Sequence, residues 1–268
     1  MWEGQGLRAT REGRDWIFVS DAHFRGQNPG EMESFIRFMD LEQQRMERLV
    51  ILGDLFEFLF GFKRTSKEES FPFSEYLPVL EQLQELYRRS IRITYFEGNH
   101  DFYLDGFFLE HFGMDVEVHP EGWEERLGKK RAFVAHGDLS NPNQWTYRIL
   151  RRILKNRWTY GLIQFGGFFF ICRVVQRMSE MSYQRSHEGV LPHPPPAFRT
   201  FAHRKFLEGC EIVILGHSHF PEEAEEWIDG RRCLYFNVGD WAIHRSFLRF
   251  TPPEQYRMER FEEKQLGG

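Results

Sequence analysis

Cysteine is scarce in this chain: Cys172, Cys210 and Cys233 lie far apart, are odd in number and fall outside any CxxC spacing. Their scarcity excludes a disulfide-framed scaffold and a four-cysteine zinc site, and fits thiols kept reduced. A long uncharged apolar run is lacking too. None reaches the roughly 18 residues that a spanning helix needs, and MWEGQGLRATREGRD at the start holds no apolar signal core. The expected location is therefore cytoplasmic. Net positive charge is also missing: the formal net charge is -5, so nothing global attracts nucleic acid and no nucleic-acid partner is expected. Any anionic partner must be met by a local basic patch. Internal repeats and long low-complexity tracts are absent as well. What remains is a single domain, 1–268, with 41% hydrophobic residues to build its core.

What is present is a set of short β-rich apolar runs, each followed by a polar cluster. Trp16 to Ser20 precedes Asp21 and His23, and Leu49 to Leu52 precedes Gly53 and Asp54. Ile91 to Phe96 precedes EGNHD, with Asn99, His100 and Asp101; Ala132 to Ala135 precedes His136, Gly137 and Asp138; Ile212 to Leu215 precedes Gly216, His217, Ser218 and His219. Helical spacing over Glu31 to Arg48 and Ser74 to Arg89 separates the first three runs. Such alternation predicts α/β layering, in which ligands sit beyond the carboxyl ends of the strands, so the clusters are expected to converge on one edge. After Phe206 the pattern turns to strands: a hairpin of Ala224 to Ile228 and Cys233 to Val238 about Asp229-Gly230, then Ala242 to Phe250. These predict a second sheet packed on the first.

The stretch from about 139 to 205 has helical spacing and is both basic and aromatic before it falls into LPHPPP. It reads as a helical cap inserted between the fourth and fifth runs. Its phenylalanines either line a cleft or pack the cap onto the core.

The clusters share a chemistry. Asp21 and His23 alternate across one residue and can swing to one ion; Asp54 follows a glycine that lets the chain turn tightly; Asn99 offers an amide oxygen, and His136, His217 and His219 offer imidazoles. Taken singly, an Asp-x-His or a Gly-Asp after a strand is more often a plain turn. Together the donors are too many for one tetrahedral ion and suit two five- or six-coordinate cations of the Mn, Fe or Zn type sharing Asp54. Two such ions roughly 3.5–4 Å apart clamp phosphate oxygens in an in-line displacement. His100, left free of metal, is placed to hydrogen-bond a phosphate or protonate a leaving oxygen, with Asp101 as its orienter or, alternatively, a turn residue.

The ordered set D-x-H, GD, GNHD, HGD and GHSH, from Asp21 to His219, resembles the calcineurin-like metallophosphoesterases. The resemblance implies an α/β, αββα two-sheet metallophosphoesterase sandwich with a helical insertion cap. It also implies a first ion on Asp21, His23, Asp54 and His219 and a second on Asp54, Asn99, His136 and His217, with manganese expected. LVILGDLFEFLFGFK, GNHDFYL, HGDLSNPNQWTYRILRRILKN and FNVGDW further resemble one group in that family, the UDP-2,3-diacylglucosamine pyrophosphohydrolases of lipid A biosynthesis. That implies cleavage of a UDP-linked diacylated glucosamine lipid to UMP and 2,3-diacylglucosamine 1-phosphate, with Tyr147 and Arg185 as substrate contacts. A peripheral position on the cytoplasmic face of the inner membrane is also implied. Hydrolysis of soluble nucleotides or other phosphodiesters is the alternative within the same chemistry; a metal-binding scaffold without catalysis is the alternative outside it.

Overall fold

The central strands are short, nearly continuous apolar runs, so both of their faces have something to bury. In the computed structural model, which describes residues 13–26, 29–61, 71, 73–142, 145–156, 158, 161 and 195–263, they form two sheets back to back. The chain runs through β1 (Asp15–Val19), α1 (Pro29–Glu42), β2 (Met46–Ile51), β3 (Leu59–Phe60), α2 (Leu77–Arg88) and β4 (Arg92–Phe96). It continues through β5 (Asp101–Phe102), α3 (Phe107–Phe112), β6 (Glu117–His119), β7 (Trp123–Leu127), β8 (Lys130–Val134) and α4 (Trp145–Leu154). Then come α5 (Pro196–Leu207), β9 (Ile212–Leu215), β10 (Pro221–Ile228), β11 (Arg231–Val238), β12 (Ser246–Thr251) and β13 (Gln255–Arg260).

A six-stranded sheet has the order β13-β12-β1-β2-β4-β6 and a five-stranded sheet the order β10-β11-β9-β8-β7. Within them β1, β2, β4 and β6 run parallel to one another, as do β8, β9 and β11. The carboxyl ends in each parallel set therefore share one edge.

Alternation decides the layers. Ile17, Val19, Leu49, Ile51, Ile93 and Tyr95 face outward onto Phe35, Phe38 and Met39 of α1 and Val79, Leu83 and Leu86 of α2. Their strand neighbours Phe18, Val50, Leu52 and Phe96 face inward onto Ala132, Val134, Ile212, Ile214, Phe236 and Val238. On the far side Val213, Leu215, Cys233 and Tyr235 receive Phe198, Ala202 and Phe206 of α5. The result is the expected α-β-β-α sandwich, each buried Leu or Phe contributing about 1.5–3 kcal/mol. At the end away from the clusters, buried Arg249 ties β12 to β1 and α1 through Asp15 at 2.9 Å and Glu42 at 2.8 Å.

Several boundaries differ from the sequence reading. The helix expected to run to Arg48 stops at Glu42, because Glu47 and Arg48 find cross-strand partners in Arg92, Glu117 and Glu125 and so extend β2. The range 139–205, expected to be wholly cap, includes most of α5, whose Phe198, Ala202 and Phe206 stripe covers the second sheet. Cys172 and the apolar run after Gly161 lie outside the described residues.

Candidate active site

The strand ends do not simply stop; they turn left-handed. Asp21 (φ 51°), His23 (φ 47°), Asp54 (φ 53°), His217 (φ 65°) and His219 (φ 59°) all lie in the left-handed region. Such backbone at a residue with a Cβ costs on the order of 1–3 kcal/mol and persists only where the surroundings over-determine it. Here the Asp21 N–H donates to Gly53 O at 3.2 Å, the His23 N–H to Asp54 O at 3.0 Å, and the Gly216 N–H to His136 O at 2.7 Å. The ligand loops thus hold one another.

Two glycines permit that approach. A Cβ on Gly98 would sit 2.1 Å from Asp54 Oδ1, and one on Gly216 would sit 2.0 Å from Ser20 Oγ and 2.9 Å from Asp21 Oδ2.

The loops bring every expected metal donor to one place. Donor atoms of Asp21, Asp54, His136 and His217 all lie within 4.8 Å of one another, and so do those of Asp21, His23 and His219, and those of His23, Asp54 and His100. His136 Nε2 lies 3.0 Å from Asn99 Oδ1, 3.0 Å from His217 Nδ1 and 3.4 Å from Asp54 Oδ2. Its other nitrogen donates to the Leu52 carbonyl at 2.6 Å, which turns Nε2 toward the cluster.

A cation fits this arrangement. Asp21 Oδ1 and His23 Nε2 are buried with no hydrogen-bond partner, which is costly for polar atoms unless an ion takes them up. Asp21's other oxygen is occupied, accepting from the Ser20 hydroxyl and from the His217 N–H at 2.7 Å. One carboxylate oxygen is anchored and its mate is aimed inward beside His23 Nε2 and His219 Nε2, at 3.8 and 3.6 Å.

The charges agree. Burial alone would raise the Asp21 and Asp54 carboxyls, but the adjoining His219 and His136 hold both well below the usual carboxylate range. Burial lowers His136 and His219, yet Asp54 and Asp21 push them up to about 10 and about 9. His217 goes the other way, to about 4, through burial and the neighbouring His136 charge. Protons on two imidazoles are thus what holds the two carboxylates ionised when no ion is bound.

Asp101 departs from the first of its two expected roles. Asp101 does not orient His100: its carboxylate accepts from the Asp54 N–H at 2.7 Å, the Gly98 N–H at 3.0 Å and the Tyr95 hydroxyl at 2.9 Å. It clamps two ligand loops together, since both N–H groups point at it rather than at a ring. Burial beside Asp54 pushes Asp101 up to about 7. The ring of His100 is held by the Glu57 carbonyl, 2.6 Å from Nδ1, and its backbone N–H donates to Asp54 Oδ1 at 2.9 Å.

Basic residues of the stretch expected to form the cap are partly engaged inside the protein. Arg151 Nε lies 2.8 Å from Asp138 Oδ2, Lys155 Nζ lies 2.8 Å from Glu97 Oε2, and Arg148 donates to the Leu139 carbonyl. Arg185 and the side chain of Tyr147 lie outside the described residues.

A profile of the calcineurin-like phosphoesterases matches residues 17–221. The chain belongs to that family. As a calcineurin-like phosphoesterase it is a metal-dependent phosphoester hydrolase. It is similar to the UDP-2,3-diacylglucosamine hydrolase of Aeromonas salmonicida, 26% identical over 93% of this chain and 93% of that protein. It is also similar to the enzyme of the same name from Shewanella halifaxensis, 28% identical over 87% and 92%.

The sequence reading of this phosphoesterase missed three acidic residues at the site: Glu57, Glu97 and Asp240. Asp240 is fully buried just past β11, a strand that ends on the same edge as β8 and β9. Its position after a parallel strand, in FNVGDW, was the available signal.

Proposed function

We propose that the chain hydrolyses the pyrophosphate of UDP-2,3-diacylglucosamine to UMP and 2,3-diacylglucosamine 1-phosphate. The observation that carries this reading is the near full-length match to hydrolases of that name, 93% of both chains in one case, joined to a complete donor set around unpartnered buried atoms.

Asp21, His23, Asp54 and His219 hold one divalent ion, and Asp54, Asn99, His136 and His217 the other; manganese suits this mix of oxygen and imidazole donors, as do iron and zinc. When bound, such ions neutralise phosphate charge and lower the pKa of water. The residues do the rest. The loops clamped by Asp101 fix the donors in place. His100, whose Nδ1–H donates to the Glu57 carbonyl, in its doubly protonated form offers Nε2–H to hold a phosphate oxygen or to pass its proton to the leaving oxygen.

The cap receives the acyl chains, with Tyr147 and Arg185 as substrate contacts. On α4, Ile149 and Ile153 are about half exposed and Trp158 just beyond is 84% exposed, while Arg148 and Arg152 are also exposed. Apolar side chains flanked by arginines suit an anionic lipid surface, which supports a peripheral position at the cytoplasmic face of the inner membrane. Among the described residues no helix is long and apolar enough to cross a membrane.

Purified protein loaded with Mn²⁺ and given UDP-2,3-diacylglucosamine in mixed micelles is expected to release UMP. Equal turnover on UDP-sugars without acyl chains would instead assign a soluble-nucleotide substrate, and no hydrolysis of either would leave a metal-binding scaffold.

A further inference from the structure

We propose that Glu57 and Asp240 are positioning residues for the two imidazoles of the first ion, each carboxylate holding one ring from behind. This rests on the reading that Asp21, His23 and His219 bind that ion.

The rings of His23 and His219 stack, with centroids 5.2 Å apart and planes 10° from parallel. Their Nε2 atoms face the same oxygen, Asp21 Oδ1. An imidazole's two nitrogens lie on opposite edges, so each Nδ1 must point away from the ion, and each finds a carboxylate there. Glu57 Oε2 lies 3.7 Å from His23 Nδ1, and Asp240 Oδ2 lies 3.7 Å from His219 Nδ1. These are ion-pair separations, and a ring rotation that brings them within about 3.2 Å makes them hydrogen bonds. An acceptor behind Nδ1 fixes the tautomer that leaves the Nε2 lone pair for the metal and raises its basicity. His136 already shows the same design, with the Leu52 carbonyl as acceptor.

Both carboxylates are themselves held, so a ring can settle against them. Arg25 grips Glu57 Oε2 through Nε at 3.0 Å and Nη2 at 2.9 Å. Asp240 Oδ1 accepts from the Ile243 and His244 N–H groups at 2.7 and 2.9 Å, and Oδ2 lies 3.1 Å from His244 Nδ1. The next residue ties this loop to the first ligand loop: the Trp241 N–H donates to the Ser20 and Asp21 carbonyls at 3.1 and 3.3 Å.

The test is Mn²⁺ binding to metal-depleted full-length protein, measured by calorimetry for the wild type, Glu57→Ala, Asp240→Asn, His219→Ala and the Asp240→Asn/His219→Ala double variant. Asparagine keeps the oxygen that caps Ile243 and His244, and Glu57 lies at a partly exposed edge, so at least one variant reports on a folded protein. The expected result is two ions in the wild type, with each carboxylate variant weakening one of them by about 10-fold to 100-fold and sparing the other. In the His219→Ala background Asp240→Asn is expected to weaken binding no further, because it acts through that ring. Wild-type affinity for both ions in the carboxylate variants, or equal weakening by Asp240→Asn with and without His219, would overturn the inference. Fewer than two ions on the wild type would overturn the metal reading beneath it.

Discussion

The ammonium of Lys155, just past the end of α4, lies 2.8 Å from Oε2 of Glu97, the residue that opens the EGNHD turn. Glu97 is buried and its other oxygen accepts from the Leu104 N–H at 2.7 Å. Four residues earlier, within α4, Arg151 makes the matching contact to Asp138, which follows His136-Gly137. The segment of α4 and Lys155 is therefore fastened by two ion pairs to the loops that carry Asn99 and His136. The position of α4 and the geometry of those donor loops are mechanically joined.

Removing one partner leaves the other charge buried and alone. Lys155→Met is expected to cost about 3 kcal/mol of stability, read as a shift in the urea unfolding midpoint, and to raise KM for the lipid more than it lowers kcat.

Gly98→Ala forces a methyl to within 2.1 Å of Asp54 Oδ1. Since a displacement of roughly 1 Å at reacting groups costs about 10²-fold, turnover is expected to fall at least that far. Bound Mn²⁺ measured by mass spectrometry is expected to fall with it.

For His100→Ala a different pattern is expected. Its ring is held by a backbone carbonyl and is proposed to serve substrate rather than metal, so kcat is expected to drop by about 10²–10⁴ as for loss of a general acid while two ions stay bound. A parallel loss of metal would make His100 a ligand.

Metal binding is expected to strengthen with pH and to release protons. His136 and His219, raised to about 10 and about 9, carry protons at pH 7 that a cation must displace. The same sign governs the metal-free protein. A histidine raised on folding stabilises fully below its unfolded value of about 6.5 and loses that contribution as pH climbs through 9 and 10. Calorimetry in buffers of different ionisation enthalpy counts the released protons, and thermal unfolding of the metal-free protein between pH 6 and 10 reads the stability.

Much of this molecule could be read from its sequence because the central strands are short, apolar on both faces and followed at once by ligands. Once β1, β2, β4, β8 and β9 are strands, parallel pairing carries Asp21, Asp54, Asn99, His136 and His217 to one edge. Edge strands were not legible: β7 (WEERL) and β13 (QYRMER) carry charge on an exposed face and look like loop or helix until paired. The expected strand at Ala242 begins instead at Ser246, since Asp240 gathers the Ile243 and His244 N–H groups into a turn. The supporting carboxylates were hidden for a related reason. Nothing local to Asp101 says that its partners are Asp54 and Tyr95 rather than His100, and nothing near Glu97 points to a lysine 58 residues away.

The most direct measurement is UMP release from UDP-2,3-diacylglucosamine by metal-depleted protein as Mn²⁺ is added back in known equivalents. Activity is expected to be absent without metal, to rise to a plateau at two equivalents, and to stay absent in Asp54→Ala at any equivalent. UMP release without metal, a plateau at one equivalent, or no UMP from the fully loaded protein would contradict a two-metal hydrolase of this lipid.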